Sequence, residues 1–236
     1  MENTTSHRPR RFAVLLAGCG VYDGSEIHEA VLSLLCIEQA GHTYRCVAPD
    51  KWQYHVVNHH TGAVQEGERR HVRVEAARIA RGPVLSPAEV EVTEFDYLLI
   101  PGGFGAAKNL NEWAMSGPAG TVDATVEQLI HAFHDARKPI AALCIAPTVL
   151  AQVFHGRGIS TTLTVGSDEL PSPNDIAGVS QALRTLGCTV QMKPVPEVQV
   201  DPENRIVSAP CYMMETGIGG VYENIRVTIE ALLRLG

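Results

Sequence analysis

The segment Pro139-Ile140-Ala141-Ala142-Leu143-Cys144-Ile145-Ala146-Pro147 is typical of an α/β fold, because it passes from a strand to a helix within a few residues. The residues from Ile140 to Leu143 are all apolar, which is typical of a strand covered on both faces of a parallel sheet. Pro147 suits the first turn of a helix, where the N–H that proline lacks has no partner. The sequence therefore predicts a buried strand that ends at Cys144 and leads directly into a helix.

The same alternation of strand and helix extends outward along the chain in both directions. Continuous apolar runs predict further strands, and apolar residues at helical spacing predict the helices between them. Asp23-Gly24-Ser25-Glu26 predicts a capping box at the start of the first helix. The other predicted strands are residues 12–17, 44–48, 95–100, 161–165 and 189–192, with a hairpin of residues 198–200 and 206–208. The other predicted helices begin near residues 27, 74, 122, 176 and 221.

This alternation predicts an α/β fold in which a mostly parallel sheet carries helices on both faces. The chain has no internal repeat and no linker, which predicts a single domain over residues 1–236. Within it, residues 1–10 are expected to form a flexible tail. Residues 52–82 have poor periodicity and are expected to be an insertion, with a hairpin around residues 58–62.

Composition and charge exclude several classes of partner. The 236 residues carry a formal net charge of −7 with scattered basic side chains, whereas nucleic acid binding requires clustered Lys and Arg. No apolar run approaches the ~18 residues needed to span a bilayer. The six cysteines show neither metal-ligand spacing nor a Cys-x-x-Cys pair. We therefore expect no nucleic acid, membrane or metal partner, reduced thiols and a cytoplasmic location.

Two groups of residues lie where chemistry is expected, just after the carboxyl ends of buried strands. Cys144 would sit at a helix N-terminus, whose partial positive charge predicts a lowered thiol pKa and a nucleophilic sulfur. Gly102 and Gly103 directly follow the strand at residues 95–100. Their N–H groups, together with that of Ile145, are expected to form an oxyanion hole beside Cys144.

Several longer strings carry a resemblance to a known family. They are residues 17–29 (AGCGVYDGSEIHE), 48–51 (APDK), 57–59 (VNH), 61–62 (TG), 75–82 (EAARIARG), 101–110 (PGGFGAAKNL) and 144–147 (CIAP). The chain resembles the ElbB family, the enhancing-lycopene-biosynthesis or isoprenoid-biosynthesis glyoxalase proteins, in the DJ/PfpI branch of the class I glutamine-amidotransferase-like superfamily. The resemblance implies a flavodoxin-like three-layer sandwich, a reactive cysteine at Cys144, a cofactor-free glyoxalase activity and a homodimer.

The superfamily resemblance also implies a carboxylate from the first helix beside the cysteine. Glu29 matches that position, and Glu26, one turn earlier, is the alternative. None of the ten histidines lies beyond residue 155, and none follows Cys144 where the amidotransferases or peptidases of the superfamily carry theirs. His28, beside Glu29, and His59, in the insertion, are the remaining alternative acid or base groups.

Two functions follow from these residues. In the first, Cys144 adds to the aldehyde of methylglyoxal or glyoxal, a carboxylate moves a proton between the two carbons, and hydrolysis releases the 2-hydroxy acid at a low turnover. In the second, the protein is not an enzyme, and Cys144 serves as a redox or electrophile sensor or lines the pocket of a ligand-binding module.

Overall fold

The structure, a computed structural model, describes residues 8–236. Its central sheet has six strands in the order β2-β1-β3-β4-β8-β7, all parallel except β7, which pairs antiparallel with β8. These strands are β1 (Arg11–Leu15), β2 (Thr43–Val47), β3 (Tyr97–Ile100), β4 (Ile140–Leu143), β7 (Gln199–Asp201) and β8 (Ile206–Ala209). Two further short strands, β5 (Thr162–Leu163) and β6 (Thr189–Val190), form a separate parallel pair.

Within residues 8–236, seven α-helices connect and cover the strands. They are α1 (Ile27–Gln39), α2 (Val72–Ala80), α3 (Trp113–Ser116), α4 (Ala124–Asp135), α5 (Pro147–Gly156), α6 (Ile176–Thr185) and α7 (Ile218–Leu235). The helix α1 packs against α7, and α4 packs against α5. Every residue of β3, β4 and β8 is buried, because helices cover the centre of the sheet on both faces. The predicted flavodoxin-like α/β sandwich with a mostly parallel sheet is confirmed.

Four loops follow the carboxyl ends of neighbouring strands and meet at one edge of the sheet. The N–H of Glu26, in the loop before α1, donates to the carbonyl of Gly102 after β3 at 3.0 Å. The N–H of Cys144 after β4 donates to the carbonyl of Ala209, the last residue of β8, at 2.8 Å. These backbone bonds join the loop after β1 to the loop after β3, and the turn after β4 to the end of β8.

Three local predictions differ from the structure. The residue that caps α1 is Glu26, and Oδ2 of Asp23, the first residue of the predicted capping box, accepts instead the N–H of Val57 at 2.7 Å, so the predicted capping box is wrong. The predicted strands at residues 161–165 and 189–192 are shortened to β5 and β6, which pair with each other outside the central sheet. The predicted hairpin in the insertion is reduced to a single bridge between Val57 and Val64.

The predicted tail, residues 1–10, lies only partly within the described residues, whereas the predicted insertion, residues 52–82, lies wholly within them. Residues 1–7 of the predicted tail lie outside the described residues, while Arg8 and Arg10 both contact the carboxylate of Asp96. The segment 52–82 contains α2 and otherwise consists of turns and isolated bridges. None of the helices within residues 8–236 is both long and apolar enough to cross a membrane.

Candidate active site

Cys144 occupies a strained backbone position between β4 and α5. Its φ of 58° lies in the left-handed region, which costs a residue other than glycine about 1–3 kcal/mol. The chain turns here within three residues, because β4 ends at Leu143 and α5 begins at Pro147. Such a sharp turn from strand to helix is the geometry of a nucleophile elbow. Cys144 is 7% exposed and lines a cavity at the edge of the sheet.

Glu29 lies directly beside this cysteine, fully buried in the first turn of α1. Its two carboxyl oxygens accept the N–H of Gly102 at 2.9 Å and the N–H of Tyr212 at 3.3 Å. The carboxyl group also lies close enough to Cys144 for the two side chains to shift each other's pKa. Gly102 permits this contact, because a Cβ there would lie 2.5 Å from the Cβ of Cys144 and 2.9 Å from Oε2 of Glu29.

Burial changes the acidity of both members of this pair. Desolvation raises the pKa of Glu29 to about 8, and the charge of Glu26 adds to the rise, against hydrogen bonds from Gly102 and Tyr212. Desolvation also raises the pKa of the Cys144 thiol well above its ordinary value, and a negative charge on Glu29 raises it further. The prediction of a lowered thiol pKa is wrong. Burial raises the pKa of Cys144 by more than the N–H groups near the start of α5 lower it.

Two of the three predicted oxyanion donors face the sulfur. The N–H groups of Gly103 and Ile145 lower the pKa of the Cys144 thiol, because they stabilise its thiolate form. The N–H of Gly102 instead donates to Glu29, so it holds the carboxyl group rather than facing a substrate. An oxygen on a carbon bonded to the sulfur would therefore have two N–H donors close by.

The alternative acid or base groups lie in different places. Glu26 lines the same cavity as Cys144, and its Oε2 accepts the N–H of Glu29 at 2.7 Å. His28 is exposed, with its Nδ1 2.8 Å from the hydroxyl of Tyr212. His59 donates from Nδ1 to the carbonyl of Val57 and accepts the N–H of Tyr22 at Nε2. Among residues 8–236, no histidine lines this cavity.

The cavity above Cys144 has a volume of about 470 Å³ and is walled by segments far apart in the chain. Its lining includes Trp113 from α3, Asn174 and Asp175 before α6, and Tyr212 after β8. Sequence reasoning missed these residues. A search of strand ends could have found Tyr212, which lies just after β8, whereas no local signal marks the other three.

A second buried cysteine lies after the neighbouring strand. Cys211 also has a left-handed backbone, with φ 44°, and its N–H donates to Oδ1 of Asn224 at 2.9 Å. Burial raises the pKa of its thiol well above the ordinary value, and so would charges on Glu29 and Cys144. All six cysteines are free thiols. Across the described residues, no group of three or more His, Cys, Asp or Glu side chains is arranged to hold a metal ion.

Comparison with protein families and curated proteins identifies relatives over almost the whole chain. Residues 19–174 match the model of the DJ-1/PfpI family. The ES1 protein homolog, mitochondrial, of Rattus norvegicus is 39% identical over 235 residues, which cover 99% of this chain and 87% of that protein. The glutamine amidotransferase-like class 1 domain-containing protein 3, mitochondrial, of Homo sapiens is 39% identical over 226 residues, covering 95% and 83%. Both relatives are named mitochondrial, so the cytoplasmic location of this chain stays a prediction.

Solved structures agree with the architecture. An isoprenoid biosynthesis protein with amidotransferase-like domain from Ehrlichia chaffeensis has a TM-score of 0.86 at 34% identity, covering 96% of this chain and 99% of that one. The Drosophila melanogaster DJ-1beta structure has a TM-score of 0.55 at 18% identity, covering 97% and 96%, and shares the fold. The resemblance to ElbB-like proteins found in the sequence is thereby confirmed.

Proposed function

The chain belongs to the DJ-1/PfpI family, and from that premise we propose that it is a cofactor-independent glyoxalase acting through Cys144. The main support is that a cysteine at a strained turn lies beside a buried carboxyl group and faces a cavity. Nucleophilic catalysis needs a sulfur with an adjacent proton-transfer group and donors for the oxyanion that forms. Cys144, Glu29 and the N–H groups of Gly103 and Ile145 supply these parts.

The first step forms a bond between sulfur and carbon. The reactive form of the pair holds one proton, which lies on Glu29 when Cys144 is a thiolate. The sulfur adds to the aldehyde carbon of methylglyoxal, and the carbonyl oxygen takes the electron pair. The N–H groups of Gly103 and Ile145 stabilise this oxygen, and Glu29 gives it a proton to complete the hemithioacetal.

The second step moves hydrogen between the two substrate carbons without any external oxidant. The carboxylate of Glu29 removes the proton from the carbon bonded to sulfur, which gives an enediol. Return of a proton to the neighbouring carbon produces a lactoyl thioester on Cys144. Water then hydrolyses the thioester, which releases lactate and restores the thiol.

The sensor function is less well supported by the geometry. Oxidation of a cysteine to sulfenic acid follows thiolate character and exposure. The thiol of Cys144 is almost fully buried and its pKa is raised, so it lacks both properties at neutral pH. A cavity with an adjacent proton-transfer group fits turnover of a bound carbonyl compound better than direct oxidation.

The test is lactate formation from methylglyoxal by the purified protein with no thiol added. We expect the wild-type protein to form lactate and Cys144→Ala to fall to the uncatalysed rate. Cys188→Ala is the matched control, since Cys188 is also buried but hydrogen-bonded to Thr161 near β5. If Cys144→Ala keeps the wild-type rate, the proposed mechanism is wrong.

We also propose that the protein is a homodimer. An exposed apolar stripe on α1 supports this state, because Ile27, Val31 and Leu35 follow one another at helical spacing. Sedimentation of the wild-type protein and of Val31→Glu tests the proposal. We expect a dimer that Val31→Glu weakens, whereas a wild-type monomer at micromolar concentration would contradict it.

A further inference from the structure

The cavity over Cys144 is much larger than a triose-sized aldehyde requires. Its volume of about 470 Å³ corresponds to roughly fifteen water molecules and falls in the range of pockets that hold drug-sized ligands. Methylglyoxal bound to the sulfur would leave most of this space unfilled. The volume therefore fits a carbonyl compound with a larger substituent.

The walls of the cavity are mainly apolar and carry no positive charge. Phe104, Trp113, Ala114, Pro173, Val179 and Met213 line it, and the ionisable side chains beside them are the acidic Glu26 and Asp175 and the weakly acidic Cys144 and Tyr212. Within residues 8–236, no Lys, Arg or His contributes to the lining. Lys108, which lies close by in sequence, lines a different cavity and donates to the carbonyl of Tyr22.

Several polar groups of the walls are already hydrogen-bonded within the protein. Oδ1 of Asp175 accepts the N–H of Gly178 at 2.8 Å, and the amide of Asn174 donates to the carbonyls of Tyr212 and Met213. The hydroxyl of Tyr212 is bonded to His28. These bonds leave apolar surface as the main means of holding a substituent.

The wall formed by α3 is held in place by a buried polar network. The side chain of Asn111 accepts the N–H of Trp113 at 3.3 Å and donates to Oε1 of Gln152 at 2.8 Å. The amide of Gln152 donates in turn to the carbonyls of Gly117 and Gly120. The cavity is therefore formed before a ligand binds, and its shape can select among substrates.

Resting on the proposed function, we infer that the substrates are uncharged 2-oxoaldehydes whose substituent is apolar and larger than methyl. Alkyl- and arylglyoxals belong to this class. Moving an apolar substituent from water to the apolar wall of the cavity makes the free energy of binding more favourable. A carboxylate or phosphate on the substrate would meet Glu26 and Asp175 with no cation to pair with, so anionic aldehydes are rejected.

Steady-state kinetics with phenylglyoxal and methylglyoxal test the size preference. We expect kcat/KM to be at least about tenfold higher for phenylglyoxal, after correction for the reactivity of each aldehyde towards a free thiol. Val179→Phe narrows the cavity and should reduce this preference, whereas Val74→Phe, at an exposed position outside the cavity, should leave it unchanged. Equal kcat/KM values in the wild-type protein, or a preference that survives Val179→Phe, would overturn the inference.

Alkylation of Cys144 tests the charge preference without any turnover. The rates at which iodoacetamide and iodoacetate alkylate Cys144 are measured by peptide mass mapping. Each rate is divided by the rate at which the same reagent alkylates N-acetylcysteine. We expect the uncharged reagent to be favoured by at least about tenfold, and Val179→Arg to reduce that ratio. Equal corrected rates would overturn the inference even if methylglyoxal is turned over. Discrimination against iodoacetate with no turnover of either aldehyde would instead overturn the glyoxalase proposal and support the selectivity of the cavity.

Discussion

At the scale of single residues, the site depends on one proton held between two buried groups. Glu29 has no exposed surface, so its carboxylate form lacks hydration and its pKa rises to about 8. Neither group is charged at neutral pH in most molecules. The singly protonated pair, which contains the nucleophile, becomes more abundant as the pH rises towards that pKa.

The pH dependence of Cys144 reactivity follows from this pair. We expect the rate of alkylation by iodoacetamide, and kcat/KM for aldehydes, to rise with pH through a midpoint near the Glu29 pKa of about 8. Glu29→Gln removes the proton-transfer group, so this step should vanish and turnover should fall by about 10²–10⁴-fold. Rates measured across a buffer series would show both effects.

Glu26→Gln is the matched variant for that experiment. Its charge raises the pKa of Glu29, so its removal should move the midpoint to lower pH while turnover is kept. An unchanged profile in Glu29→Gln would show that another group, such as Glu26, carries the proton.

Among the elements of the fold, the turn after β3 positions both Cys144 and Glu29. Gly102 lies so close to Cys144 and Glu29 that a side chain there has no space. Gly103 has φ 92°, and a Cβ there would lie 2.3 Å from the backbone nitrogen of Glu26. The glycines therefore serve close packing of the loops after β1, β3 and β4.

Gly102→Ala tests this role. We expect the variant to lose about 1–3 kcal/mol of stability and at least about a hundredfold in turnover, because the new Cβ must push Cys144 or Glu29 aside. Gly219→Ala is the control, since a Cβ at Gly219 meets nothing within 4 Å. Urea unfolding and lactate formation measure the two effects, and wild-type values for Gly102→Ala would refute the packing role.

Local pattern was sufficient to predict the elements that are buried on both faces. Continuous apolar runs correctly predicted β3 and β4, and the strand end at Cys144 led to the candidate nucleophile. The cap of α1 was mispredicted because Asp23 and Glu26 are both capable of capping, and a distant hydrogen bond from the N–H of Val57 to Asp23 decides between them. Two-residue strands such as β5 depend on a partner far along the chain. Their pairing outside the central sheet could therefore not be predicted.

Across the whole molecule, the complete fold determines two features of the site that the sequence does not show, which are the acidity of Cys144 and the walls of the cavity. The helix terminus predicted a lowered thiol pKa for Cys144, but the fold buries the sulfur beside a carboxyl group, and burial raises that pKa. Likewise, the cavity walls come from loops before α6, after β8 and around α3, which only the complete fold brings together.

Burying Glu29 also has a cost in stability that depends on pH. Below its ordinary pKa of 4.5 both the folded and unfolded states bind the proton, and up to about 8 only the folded state does. The free energy of unfolding therefore falls by up to roughly 1.4 kcal/mol per pH unit as the pH rises through this window. Glu29→Gln removes the contribution of Glu29 to this dependence.

Urea unfolding of the wild-type protein and Glu29→Gln at several pH values tests this linkage. We expect the variant to gain stability relative to the wild-type protein steadily as the pH rises between those two pKa values. A difference that does not change with pH would show that Glu29 ionises in the folded protein as it does in water.

In the proposed mechanism, Cys144 forms a covalent bond with the substrate and carries it through the reaction. Acid quenching during turnover of methylglyoxal, followed by peptide mass mapping, detects this bond. We predict that Cys144 carries the mass of one methylglyoxal in a form that hydroxylamine removes, as a lactoyl thioester, and that the adduct is absent from Cys144→Ala. Lactate formation with no such adduct on Cys144, or an adduct on a different cysteine, would contradict the claim.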